Sequence, residues 1–372
     1  MKLRTILILL TLMFSCSVAL ARADKRDEKH RGTKIERKLA ADAQVSVSVC
    51  ISSGSIKVTG WDRNEVRARS VEAGDIELKR KDEGTGPARK IDVRVTDKQA
   101  ELNHGDPCET YSELELDVPR GASVQLQTRD SDIEVAAVAA VYVNTQNGDV
   151  NIEGATKIVE AGTLGGAIFL KDSAGRINLH SAGGSIDASE VRPAESGDTF
   201  EAGSLGGEIT LENVSHAQLS AHTLNGSLGV SGPLAHSGRY NLRTMSGDMT
   251  LTLPEDSSFQ LSARFSQRAE IITDFPITLI NQTSAKPAPN PNPSPAVTPA
   301  PLATPAPRVG PGPISTPKDE LPEALAKVKT KKGTVVVDVS ALTSRRLEGI
   351  HGTGDAKLEL ASFSGTIHLQ KQ

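Results

Sequence analysis

Three groups of residues in this sequence have types and spacings that chemistry uses. The first lies in GGAIFLKDSAGRINLHSAGGSI, residues 165–186, where Gly166, Gly175 and Gly184 stand nine apart. That is the spacing of a calcium-binding nonapeptide, Gly-Gly-x-Gly-x-Asp-x-apolar-x. Here the fourth position is Ile168 and the sixth is Leu170, so the glycine and the carboxylate ligand are missing. The second group is acidic. Asp132 and Asp149 fall in one column of the repeat described below, about 4.8 Å apart if the strands stack. Such a pair can share a cation or shift each other's ionisation, or can be plain solvated strand charges, the expected outcome here. Glu208 and Asp248 hold the equivalent place in coils that do not touch, and no carboxylate pair stands out as acid and base. The third group is His180 and His222, in one column with Gly203 between them. Two coil steps put them about 9.6 Å apart, too far for bonds of about 2 Å to one metal ion without rearrangement. They are expected to face solvent. No Ser-His-Asp set, nucleophilic cysteine or phosphate loop is present. The expected site inventory is therefore empty: no catalytic residue, no cofactor and no metal. Trp61, the only tryptophan, could touch a sugar but is expected to pack under a hairpin.

These residues are carried by a repeat. Its pattern is apolar-x-apolar-x-Thr/Ser-x-x-Gly-x-apolar-x-apolar. Copies run through Val141/Thr145/Gly148/Val150, Val159/Thr163/Gly166/Ile168 and Ile177/Ser181/Gly184/Ile186. They continue through Phe200/Ser204/Gly207/Ile209, Leu219/Thr223/Gly226/Leu228 and Tyr240/Thr244/Gly247/Met249. An earlier copy, Val124/Thr128/Ile133, has Ser131 in place of the glycine. A period of about 17–23 residues signals a solenoid. The period-two alternation gives strands with every second side chain inward. The Thr-x-x-Gly segment is a corner whose glycine is expected to adopt angles that a Cβ would block. The predicted fold is all-β, a single-stranded β-solenoid with an irregular β-hairpin cap at its N-terminal side. Val150, Ile168, Ile186, Ile209, Leu228 and Met249 should form one inner column. Thr128, Thr145, Thr163, Ser181, Ser204, Thr223 and Thr244 should form a hydroxyl ladder.

The chain has 372 residues, a net charge of −4 and only 3% aromatics. Neither a nucleic-acid partner nor a strongly charged membrane surface is implied. Residues 1–23 read as a signal peptide: basic Lys2 and Arg4, an apolar run from Ile6 to Leu20, and Ala21-Arg22-Ala23 as the cleavage site. Cys16 raises lipoprotein processing as a rival, which bulky Phe14 suits poorly. Cleavage leaves Cys50 and Cys108, a candidate disulfide in an oxidising compartment and worth about 2–4 kcal/mol if formed. A polar lead (24–33) precedes a β-rich cap region (34–120) and the solenoid repeats (121–282). A Pro-rich insertion (283–330), expected to be disordered, follows. Residues 331–372 supply a last coil, since Leu358, Leu360, Ser362, Gly365, Ile367 and Leu369 match the repeat again. This coil is expected to return and cap the stack.

The segments SGSIKVTGWDRNEV, LDVPRGASVQLQTRDSDIEV, RTMSGDMTLTLP and GIHGTGDAKLELASFSGTIHL resemble the bacterial putative-adhesin family with β-strand repeats. The resemblance implies an exported envelope β-solenoid and supplies no catalytic residues. The expected function is a non-enzymatic, adhesin-like scaffold in the periplasm, on the outer surface or outside the cell. It would bind or sense an envelope protein or a polysaccharide, with no membrane span after signal cleavage. The alternative is a carbohydrate-active β-helix enzyme, a lyase or hydrolase.

Overall fold

The computed structural model describes residues 35–70, 75–96, 110–266, 270–280, 327–331, 334–338 and 346–372. The expected signal peptide and polar lead lie outside them, as does the expected Pro-rich insertion up to residue 326; its last four residues, 327–330, expected to be disordered, belong to a strand. The described residues form strands and turns only. The opening strands are β1 (Ile35–Cys50), β2 (Ser53–Trp61), β3 (Glu65–Ser70), β4 (Asp75–Arg80), β5 (Ala88–Thr96) and β6 (Tyr111–Pro119). Coils of two strands follow: β7 (Ser123–Gln127) with β8 (Asp130–Ala136), β9 (Ala140–Thr145) with β10 (Val150–Glu153), and β11 (Ile158–Thr163) with β12 (Ile168–Lys171). Then come β13 (Arg176–Ser181) with β14 (Ile186–Val191), β15 (Thr199–Ser204) with β16 (Ile209–Val214), and β17 (Gln218–Thr223) with β18 (Leu228–Ser231). The coils β19 (Arg239–Ser246) with β20 (Met249–Leu253) and β21 (Phe259–Phe265) with β22 (Glu270–Thr273) complete this run. The closing strands are β23 (Thr278–Leu279), β24 (Lys327–Lys331), β25 (Thr334–Asp338), β26 (Arg346–His351), β27 (Ala356–Ser364) and β28 (Thr366–Lys371).

The fold is a β-solenoid with two faces. The even strands from β8 to β20 stack in parallel as sheet A, and the odd strands from β7 to β19 as sheet B. The apolar column is in register throughout, Val150 against Ile168, then Ile186, Ile209, Leu228 and Met249. All six are fully buried between the sheets, each contributing roughly 1.5–3 kcal/mol by leaving water. The hydroxyl ladder is buried as well; Thr128 and Thr145 bond to each other (2.9 Å), and from Thr163 to Thr244 the partners are backbone groups. Ser181 Oγ accepts the Gly184 N–H (2.9 Å) and donates to the Gly166 carbonyl one coil back (3.1 Å). Ser204 repeats the arrangement with Gly207 and Gly184. Ser181 and Ser204 thus each satisfy their own corner and the corner beneath it, where an unpaired polar group would be costly.

The corner glycines have a different cause from the one expected. Gly148 and Gly247 do use positive φ, but Gly166, Gly184, Gly207 and Gly226 do not. What requires glycine there is proximity. A Cβ on Gly184 would lie 1.9 Å from the Gly166 carbonyl oxygen, and one on Gly207 would lie 2.0 Å from that of Gly184.

The ends depart from sequence order. The coil β27–β28 does not cap the stack. It slots between β19–β20 and β21–β22, with Leu358 beside Tyr240 on one side and Leu261 on the other. At the other end β1–β2 lies between β5–β6 and β7–β8 in the same way. Sequence pattern assigns a coil to the solenoid but not to a rung, because all rungs present similar inner faces. Antiparallel strands close both ends: β3 on β6 and β4 on β5, β25 on β22 and β26 on β21. Each unpaired edge is thereby covered, as a solenoid requires.

Candidate functional site

The outward face of sheet B carries the candidate site. Its second column runs Asn144, Gly162, His180, Gly203, His222, Arg243, Ala361, Arg264 in consecutive rungs. Small residues at 162, 203 and 361 alternate with larger ones, which hollows the face into a trough along the solenoid axis. The trough deepens at its C-terminal end into a groove of about 740 Å³ bordered by His222, Leu224, Arg243, Met245, Arg264 and Phe363.

A ridge follows the trough along the corner. It is made by the residue after each ladder hydroxyl, which the strand turns outward. Those residues are Leu164, Ala182, Leu205, Leu224, Met245 and Phe363 on successive rungs. Leu164 is 61% exposed, Leu205 55%, Met245 54% and Phe363 65%. Single exposed apolar residues are ordinary, but a contiguous row beside a groove marks an interaction surface. The sequence carried this signal in the second position of Thr/Ser-x-x-Gly, where Leu recurs; reading that position as filler hides it.

The residues singled out for chemistry find other roles. Asp132 and Asp149 do share a column, but each carboxylate accepts the backbone N–H of the next coil: Asp149 N–H to Asp132 Oδ1 (3.0 Å) and Ala167 N–H to Asp149 Oδ1 (2.9 Å). Asp248 does the same for Thr366 at 2.7 Å. They tie coils together. His180 and His222 are exposed, as expected, but they are closer than two coil steps imply, with ring centroids 6.4 Å apart. Trp61 packs under the cations of Arg63 (5.0 Å) and Arg67 (4.7 Å) and donates its indole N–H to the Glu65 carbonyl. Among the described residues, no group of three or more His, Cys, Asp and Glu converges as a metal site.

The comparisons with known proteins bear on the repeat itself. A family model described as Toastrack DUF4097 matches residues 86–267. Those residues belong to the Toastrack family. The solved structures similar to this chain include a putative adhesin from Parabacteroides distasonis, at 10% identity and a TM-score of 0.37, covering 60% of this chain and 92% of that one. A putative adhesin from Bacteroides fragilis is similar at 14% identity and a TM-score of 0.36, covering 59% and 97%. No curated protein matches the chain.

Within the Toastrack region one buried group escaped the sequence reading. His216 lies at a corner between β16 and β17 and is fully buried. Its Nε2–H donates to the Gly175 carbonyl at 2.7 Å, and its ring packs against Phe200. Burial pushes the imidazole below its ordinary range, opposed by the Gly175 carbonyl and by Asp198. Because the unfolded chain binds a proton more readily than the folded one, this residue favours folding fully above the unfolded-state value of about 6.5. That contribution is lost as pH falls below it. Melting temperature should therefore drop between pH 7 and pH 5 in the wild type and drop less in His216→Gln. Parallel profiles for the two proteins would show that His216 does not govern the response. Corners carry no periodicity, so nothing in the sequence marks this residue as buried. Outside the Toastrack region, Cys50 at the end of β1 is disulfide-bonded. Cys108, its expected partner, lies outside the described residues.

Proposed function

We propose that this protein is an exported, non-enzymatic, adhesin-like scaffold that holds a macromolecular partner along the trough and ridge of sheet B. The observation that supports the reading is the ridge of Leu164, Leu205, Leu224, Met245 and Phe363 beside the groove. Aliphatic side chains dominate it, with one aromatic ring, which suits the apolar side chains of a protein better than the faces of sugars. Arg243 and Arg264 border the groove and favour a partner with acidic groups beside its apolar ones. Among the described residues no helix is long and apolar enough to cross a membrane. The proposed location is the periplasm or the cell surface, reached through cleavage after Ala23.

The test is crosslinking capture from envelope fractions by the wild type and by a Leu205→Glu/Met245→Glu variant. Both positions are exposed, so the variant should melt like the wild type. A protein captured by the wild type and lost by the variant supports the surface. Equal capture by both overturns it. Turnover of an envelope polysaccharide, abolished by one carboxylate substitution, would overturn the non-enzymatic reading in favour of a lyase or hydrolase.

A further inference from the structure

We propose that His180 and His222 form a two-imidazole site for a late first-row divalent ion, and that Gly203 creates it. The in-register stacking of β13, β15 and β17 places Gly203 directly between the two histidines. Any side chain there would stand outward and hold the rings apart. Without one, both rings lean over the gap. The point where a Gly203 Cβ would sit is 2.9 Å from His180 Nδ1 and 2.7 Å from His222 Nε2. Those two distances together limit the separation of the nitrogens to 5.6 Å. Two nitrogens on one ion, each at about 2.0–2.1 Å, stand roughly 3–4 Å apart. Rotation of two exposed side chains covers the difference, with no movement of the ladder beneath.

The surroundings agree with a cation. Glu201 lies on the same face, two residues before Gly203, and is exposed. Arg243, one rung beyond His222 in the column, keeps its positive charge, since its Nε–H bonds only to the neutral Asn241 Oδ1 at 2.9 Å, and Glu201 is the group that offsets it. Imidazole nitrogens suit Zn, Ni and Cu, and among divalent ions Cu²⁺ binds most tightly. Water would complete the coordination. The inference does not depend on the proposed partner surface, since it concerns two residues and an ion alone.

The experiment is equilibrium titration of the untagged chain with Cu²⁺, followed by electron paramagnetic resonance. The wild type should bind one ion per chain in the micromolar range with two nitrogen donors. His180→Ala and His222→Ala should each weaken binding on the order of tenfold or more, because the second donor then no longer acts intramolecularly. Gly203→Val should do the same while leaving the melting temperature unchanged within a few degrees. Failure of the wild type to bind at 1:1, or unchanged affinity in either histidine variant, would overturn the site. Wild-type affinity in Gly203→Val would remove the glycine from it.

Discussion

Ile168→Asp should abolish or nearly abolish the cooperative thermal unfolding transition, and Phe169→Asp should leave it largely intact. The two residues are adjacent in β12, yet Ile168 is fully buried between Val150 and Ile186, and Phe169 is 40% exposed on the other side of the sheet. An aspartate at 168 would strand a charge among aliphatic side chains with no partner, in addition to losing the isoleucine's packing. Such substitutions belong to the tail of measured losses, above roughly 4 kcal/mol. An aspartate at 169 meets water. It would stand beside Asp187 on the next rung, a like-charge contact worth a few tenths of a kcal/mol to roughly 1 kcal/mol. Equal losses in a thermal melt would contradict the inward and outward assignment of the whole face.

The second large effect is expected at the corners. Gly207→Ala adds one methyl group, but at a point 2.0 Å from the Gly184 carbonyl oxygen and 2.4 Å from its carbon. Both are backbone atoms held by the ladder, so relief requires the coils to separate locally. A loss of about 3–5 kcal/mol in urea denaturation is expected. Gly229→Ala is the matched control. Its nearest contact would be the Ile209 oxygen at 4.0 Å, and the change should be neutral or slightly stabilising, since alanine restricts the unfolded chain. If Gly207→Ala proves no worse than Gly229→Ala, the close stacking of corners is wrong.

Particular residues show how far the sequence could be read. Alternation located the buried faces, so Ile168 and its column, and the inward hydroxyls such as Ser181, were legible one residue at a time. The glycines were legible as corners but not in their cause, because the contact that demands Gly184 comes from the carbonyl of another coil. Rung position was not legible: Leu358 and Leu360 match the repeat as well beside Tyr240 and Leu242 as they would at an end. At the candidate site, the repeat correctly puts His180 and His222 two rungs apart in one column. It says nothing about side chains leaning across an empty position. The ridge was present in the second residue of each Thr/Ser-x-x-Gly corner, as Leu164, Leu205 and Leu224 show, and required only that these outward positions be compared with one another.

The placement of β27–β28 makes the molecule its own fragment-complementation pair. The coil before it and the coil after it, β19–β20 and β21–β22, each pair with this coil and not with each other. The contact between Asp248 and Thr366 joins positions 118 residues apart. Until β27–β28 is in place, the body has a vacant slot one rung from its end, and β21–β22 has no parallel neighbour on the body side. Completion of the stack is therefore tied to β27–β28, and a chain lacking that coil cannot close it. The same wedge resists fraying, because peeling the C-terminal coil away means pulling it from between two others. A break in the backbone between Ile280 and Lys327 would leave the two pieces joined through two parallel pairings in each sheet, a natural place to divide the protein in two and recover it by mixing.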